Sequence, residues 1–187
     1  NKMAKIVLLS CTKAKLDKPS SAQDLYSPSP MFQKTKAYGE SLKPDKMYIL
    51  SAKYYLVPLD KQLEPYDMTL KDFKKPEKEQ WGETVISQMN DRGIKPESDT
   101  FIFLAGSEYI KPLKDHPDLI SDLSLNPHVA EVTIIRIALY TSAQGCERLA
   151  NNQQRLIQSP SVIHALYYNT QVPSVTADRI LEFAARE

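Results

Sequence analysis

Glycine is scarce here, with 5 among 187 residues. Phosphate-cradling loops need glycines at fixed offsets so that the backbone can approach a phosphate. Neither the Gly-x-Gly-x-x-Gly nor the Gly-x-x-x-x-Gly-Lys pattern occurs. Only 2 cysteines are present, Cys11 and Cys146. They make no disulfide framework, and the expectation is a reducing, cytoplasmic setting. No apolar run approaches the roughly 20 residues that span a bilayer, so no membrane partner is expected. The N-terminus has no signal-peptide core, and Asn1 and Lys2 ahead of Met3 read as a cloning remnant. The 3 histidines, His116, His128 and His164, are too far apart for ligand spacing. No metal and no cofactor are therefore expected. The Gly-x-Ser-x-Gly elbow of serine hydrolases is missing as well.

Net charge is +1, which is not the strongly basic signature of many nucleic-acid binders. The charge is unevenly distributed. Residues 1–80 contain 15 lysines, no arginine and 10 acids, a balance of +5, which leaves −4 for the remainder. A lysine-biased half can face an anion, or can simply be a solvated surface.

The apolar run at residues 4–10 stops abruptly at Cys-Thr-Lys-Ala-Lys, as a buried parallel strand does on entering a loop. Residues 16–30, with Pro19, Pro28 and Pro30, read as loop. Ser29-Pro30 then supplies an N-cap and a first-turn proline for a helix reaching about residue 42. Residues 46–51 give a second strand. Pro58 and Pro65 make residues 53–67 irregular, and a helical turn is expected at 69–75. A helix starting at Pro76 carries Trp81, Val85 and Met89 as a core stripe, and Gly93 stops it. Thr100 to Ala105 reads as a third strand. The stretch from Val129 to Tyr140 contains a fourth, Val-Thr-Ile-Ile-Arg-Ile-Ala-Leu-Tyr. Helices are expected at 143–157, 160–168 and 175–185.

Alternating strands and helices define an α/β class, a single domain with a largely parallel central sheet flanked by helices and a helical C-terminal part. Residues 4–140 form the expected core, and 141–187 a helical extension of the same domain.

Ligands of such sheets bind outside the carboxyl ends of the strands. Three segments lie there. In Ser10-Cys11-Thr12-Lys13, a thiol beside lysines can serve as nucleophile. The hydroxyls and amides there can hold an anion, or Cys11 can be a small buried hydrophobe. In Ser51-Ala-Lys53-Tyr54, Lys53 can neutralise a phosphate or act as a desolvated amine. The loop continues through Glu64-Pro65-Tyr66-Asp67, where prolines stiffen the backbone around two carboxylates. Either can move a proton, and Asp67 can equally cap a helix. Gly106-Ser107-Glu108-Tyr109 follows the third strand, where a helix N-terminus favours an anion. A magnesium site pairing Asp45 with Asp72 is disfavoured, since Asp72 falls in a proline-flanked helical region.

Together these segments resemble a known family. Ser10-Cys11-Thr12-Lys13, Asp24-Leu25-Tyr26, Tyr48 to Leu56, Val57-Pro-Leu-Asp60, Glu64 to Asp67 and Leu104 to Tyr109 are similar to a group of small bacterial and phage proteins related to the peroxide-stress protein YaaA. A fainter similarity reaches the base-modifying domain of archaeosine synthase. The resemblance covers about residues 4–113. It implies an α/β fold and a nucleobase, nucleotide or nucleic-acid partner. Tyr55 stands where that family usually has glycine. Tyrosine tolerates a positive φ badly, so this turn is expected to differ.

The resulting expectation is an enzyme that cleaves a glycosidic bond or transfers a group at a base. Cys11, Lys53, Glu64 and Asp67 are the candidate catalytic residues. Ser10, Thr12, Lys13, Tyr26, Ser51, Tyr54, Tyr66, Ser107, Glu108 and Tyr109 are the candidate binding residues. Two alternatives remain: a DNA- or RNA-binding or stress-protection protein without catalysis, and an accessory or sensor protein.

Overall fold

The computed structural model describes residues 3–96, 98–114, 116 and 131–186. The chain forms two compact units, one of residues 1–95 with 99–113, the other of 96–98 with 114–187. The first is α/β and the second helical, in keeping with the expected class.

In the first unit, β1 (Lys5–Ser10) pairs in parallel with both β3 (Lys46–Ser51) and β6 (Thr100–Leu104). The short β4 (Tyr55–Pro58) adds antiparallel to β3, giving the order β4-β3-β1-β6. All four central residues of β1, Ile6 to Leu9, are fully buried, as a strand covered on both faces requires. Side chains alternate along it. Val7 and Leu9 join Ile49, Val57 and Phe32 in one cluster with Leu25 and Tyr26. These last two flank the end of α1 (Ala22–Leu25), and Phe32 lies on α2 (Pro30–Ser41). Ser29 caps α2 by accepting from the Phe32 amide at 3.2 Å.

The helix α3 (Lys75–Asp91) buries Trp81, Val85 and Met89, the stripe read from the sequence, and Ile86 beside them. Gln88 accepts from the Leu56 amide at 2.8 Å, and the Trp81 indole donates to the Ser51 carbonyl at 2.9 Å. These two bonds tie α3 to the β3–β4 hairpin. Gly93, with φ +68°, ends the helix: its amide bonds Asn90 O and the Ile94 amide bonds Met89 O. That pairing satisfies two carbonyls the helix would otherwise leave open. A Cβ at Gly82 would sit 2.9 Å from the Pro112 carbonyl. Glycine there lets α4 (Ser107–Lys114) lie close against α3.

Four expectations for residues 16–140 are corrected. Residues 131–140 are helix α5 (Glu131–Tyr140), not a strand. Its buried residues Ile134, Ile137 and Ala138 recur at helical spacing, and packing against a partner helix overrides the β propensity of the run. Val129 lies outside the described residues. The region 53–67 is not irregular throughout, since β4 and the two-residue β5 (Gln62–Leu63) occupy parts of it; β5 pairs antiparallel with β2 (Ser20–Ser21). The loop at 16–30 likewise contains β2 and α1. Tyr55 adopts φ +64°, so the turn keeps the backbone that glycine favours. The β3–β4 hairpin and the α3 contacts hold it there.

In the second unit, α6 (Ala143–Asn151) and α7 (Gln153–Gln158) replace the single helix expected at 143–157. Asn152 divides them, its side chain accepting from the Arg155 amide at 3.1 Å. The helices α8 (Ser161–Tyr168) and α9 (Ser174–Arg186) lie where they were expected. Asn169, after α8, donates to the carbonyls of Ala138 at 2.7 Å and Thr141 at 3.0 Å, closing the end of α5. Among the described residues no helix is long and apolar enough to cross a membrane.

Candidate active site at the strand ends

From β1 the chain adds β3 on one side of it in the sheet and later β6 on its other side, so the strand order reverses at β1, a topological switch point of the kind where α/β proteins place ligands. Cys11 stands at the end of β1, its amide continuing the ladder to the Leu50 carbonyl at 2.9 Å. Tyr109 stands on α4, which follows β6. The Cys11 thiol lies 3.1 Å from the Tyr109 hydroxyl, closing the gap between the two strand ends.

A second chain of hydroxyls runs alongside. Ser51, at the end of β3, is fully buried, and its Oγ accepts from the Tyr54 amide at 3.0 Å. The same oxygen is 2.8 Å from the Tyr66 hydroxyl, which is 2.7 Å from that of Tyr26. Tyr66 belongs to the loop after β5. Pro65, directly before Tyr66, limits the loop's freedom, and the Tyr54 hydroxyl fixes it by donating to the Glu64 carbonyl at 3.2 Å. Tyr54 meets Tyr66 edge-on at 5.5 Å, and Trp81 meets Tyr109 edge-on at 5.8 Å. Aromatic pairs favour this geometry because a positive ring edge meets a negative face.

Lys15 completes the group. The backbone bond from the Leu16 amide to the Leu25 carbonyl folds the loop after β1 back over the cluster. The Lys15 ammonium then lies 4.4 Å from the Tyr66 ring centre and 5.9 Å from that of Tyr26, within cation–π range. Its Nζ donates to the Lys13 carbonyl at 3.3 Å.

Burial dominates the electrostatics. It raises the phenol pKa values of Tyr26, Tyr66 and Tyr109 well above the ordinary tyrosine value, and electrostatic repulsion from the neighbouring Cys11 acts in the same direction. The three phenols are therefore neutral at physiological pH and available as hydrogen-bond donors. Burial lowers the Lys15 pKa, while the charges of Cys11 and Asp67 partly oppose that shift.

The fold thus gathers Cys11, Ser51, Tyr54, Tyr66 and Tyr109 of the candidates, with Asp67 exposed near Lys15. Tyr26 is fully buried, packed on Phe32 at 5.5 Å. Its hydroxyl joins the chain and its ring face does not open to a ligand. Lys53 is exposed, with its ammonium 5.3 Å from the Tyr54 ring centre. Glu64 contributes its carbonyl to Tyr54 while the residue itself is exposed. Glu108 pairs with Lys78 at 3.3 Å. The Thr12 hydroxyl donates to the Ala14 carbonyl at 3.0 Å. Ser10 is half-buried at the end of β1, while Lys13 and Ser107 are exposed. Asp67 does not cap the turn at Leu70–Asp72; Thr69 does, accepting from the Lys71 amide at 3.3 Å. Asp45 accepts from the Lys5 amide at 2.8 Å.

Sequence reasoning passed over Lys15. Nothing in its residue type or spacing separates it from Lys13 or Lys18 before the loop's backbone path is known.

Three parallel strands with a thiol, phenols and an amine gathered at their carboxyl ends define an α/β protein of the strand-end-site kind. The model of a family of unknown function, DUF6884, matches residues 6–124, and the chain belongs to that family. No curated protein and no solved structure matches it.

Proposed function

We propose that the chain is an enzyme acting on a nucleobase, a nucleotide or a base within a nucleic acid, by glycosidic cleavage or group transfer at the base. The observation that carries this reading is the Cys11 thiol held 3.1 Å from a neutral phenol at the sheet's switch point. Around it, Tyr54 and Tyr66 are only part-buried, and aromatic faces of this kind stack on a planar heterocycle. Cys11 is the nucleophile or the polarised thiol. Tyr109 donates to negative charge that develops on the substrate, the preorganised electrostatic stabilisation that gives many enzymes most of their rate. Asp67, exposed and close to Lys15, is the carboxylate placed to move a proton. The resemblance drawn from the strand-end motifs supports the same substrate class.

The purified chain would be incubated with nucleosides, nucleotides, and short RNA and DNA strands, and the products followed by mass spectrometry. Base release or a mass change on a base is expected, with a loss of at least about a hundredfold in Cys11→Ala and a smaller loss in Tyr109→Phe. Turnover unaffected by Cys11→Ala would remove the thiol from the mechanism. No turnover and no binding across the set would end the reading.

A further inference from the structure

The site as described contains one feature that a planar base does not explain. Lys15 brings a cation partway into a set of neutral groups: the Ser51 hydroxyl and the phenols of Tyr26, Tyr66 and Tyr109. Its ammonium rests on ring faces at 4.4 Å and 5.9 Å. Its one hydrogen bond among the described residues goes to a backbone carbonyl at 3.3 Å. Cys11 and, less strongly, the exposed Asp67 are near enough to act on its charge, but among the described residues Lys15 forms no ion pair. A cation drawn out of water needs compensation, and ring faces supply only part of it at a half-open position. An ammonium has three donors, and two remain for a ligand.

We propose that Lys15 is the anion anchor of this site, and that the molecule bound carries a phosphate beside its base: a nucleotide, free or within a strand, and not a free base or nucleoside. This inference rests on the proposed function and narrows its substrate class. A phosphate oxygen at Lys15 completes the cation's hydrogen bonding with a charge-assisted contact. The adjoining ring of Tyr66, with Tyr54 edge-on to it, is then placed for the base. Lys53, exposed and on the far partner of that ring pair, is a weaker candidate because its charge stays in water.

Binding of the four common nucleosides, their 5′-monophosphates and a single-stranded octamer would be measured by calorimetry on the full chain. Lys15→Met, Lys15→Arg and Lys53→Met would be compared with the unaltered protein. The phosphorylated ligands should bind at least about tenfold more tightly than the nucleosides, a difference of about 1.4 kcal/mol. That gap should vanish in Lys15→Met and persist largely in Lys15→Arg. Equal binding of nucleosides and nucleotides would overturn the anchor while leaving the base-directed reading intact. A gap that survives Lys15→Met, or one lost only in Lys53→Met, would do the same. No binding by any member would overturn both. Circular dichroism and the melting temperature of Lys15→Met would show whether a loss reflects unfolding; in that event the ranking of nucleosides against nucleotides on the unaltered chain decides.

Discussion

The thiol of Cys11 and the hydroxyl of Tyr109 are separated by 98 positions in sequence and by 3.1 Å in space. This contact joins the end of β1 to the helix that follows β6, and it distinguishes Cys11 from the chain's other cysteine. Cys146 is fully buried in α6, and burial pushes its thiol up to about 11. Thiolate, not thiol, is the reacting form.

Cys11 keeps 8% of its surface exposed and Cys146 none, so iodoacetamide at pH 8 should add to the native chain at Cys11 and reach Cys146 only in denaturant. Peptide mapping after a timed quench reads the site. Tyr109→Phe should change the Cys11 rate several-fold and leave Cys146 silent. Equal labelling of both cysteines in the native protein would contradict the burial described for Cys146.

The Tyr26–Tyr66–Ser51 hydroxyls form a continuous chain, so its members act as a unit. Tyr66→Phe removes the central oxygen and leaves the buried Tyr26 hydroxyl without this partner. Ser51 stays beside that hydroxyl, so the loss should be that of the hydrogen bonds Tyr66 made, about 1–2 kcal/mol. Tyr26→Phe should cost about 1 kcal/mol, since Tyr66 keeps Ser51. Because each single variant already breaks the Tyr26–Tyr66 bond, the double variant should lose less than the sum of the two, by at least about 0.5 kcal/mol. Urea denaturation of the four proteins closes the cycle, and strict additivity would mean that the hydroxyls do not interact.

Much of this arrangement was legible before the fold. The strands at 46–51 and 100–104, the Ser29-capped helix and the Trp81 stripe follow from local pattern, because each buries a face whose period the sequence displays. The polar strand ends follow from the same pattern joined to the strand-end rule. Residues 131–140 were misread because an apolar β-branched run has the same composition in a buried strand and a buried helix, and only the partner decides. Asn152 was missed because a capping side chain inside an otherwise helical pattern carries a weak signal. Lys15 was missed because its position depends on a backbone bond between residues 16 and 25, which no local pattern encodes.

Tyr55 carries its side chain at φ +64°. A left-handed backbone costs a non-glycine residue roughly 1 kcal/mol, and glycine costs a comparable amount of chain entropy. Tyr55→Gly should accordingly leave stability within about 1 kcal/mol, while Tyr55→Val, branched at Cβ, should lose about 1–2 kcal/mol. Thermal melts of the two variants measured side by side test this. A Tyr55→Val protein as stable as the Tyr55→Gly protein would mean that the turn relaxes out of the positive-φ region.

In the helical unit, Asn169 donates to two carbonyls at the end of α5 and is itself buried. Asn169→Ala removes both donors at once and should lower stability by about 2 kcal/mol. Asn169→Asp should be worse at neutral pH, because a carboxylate faces two carbonyl oxygens. It should recover part of the loss as pH falls below about 4, where the acid protonates and can donate one bond. Denaturant titrations of both variants at pH 7 and pH 4, each referred to the unaltered chain at the same pH, check the order.

The raised phenols set a limit on alkaline stability. For Tyr26 and Tyr66 the folded pKa lies above the unfolded value of about 10. Above that pH the unfolded chain releases phenolic protons that the folded chain retains, so the unfolded state binds fewer protons and stability falls as pH rises. Below about pH 10 both states hold the protons, and these groups contribute no slope. The stability curve should be flat with respect to them through neutrality. It should then bend downward above about pH 10, by at most about 1.4 kcal/mol per pH unit for each phenol. Tyr66→Phe should soften that descent. Absorbance at 295 nm offers a second reading: of the 10 tyrosines, the buried phenols should ionise only together with unfolding, as a step that coincides with loss of the far-ultraviolet signal. Smooth ionisation of all ten before unfolding would show that Tyr26 and Tyr66 are not held neutral by the fold.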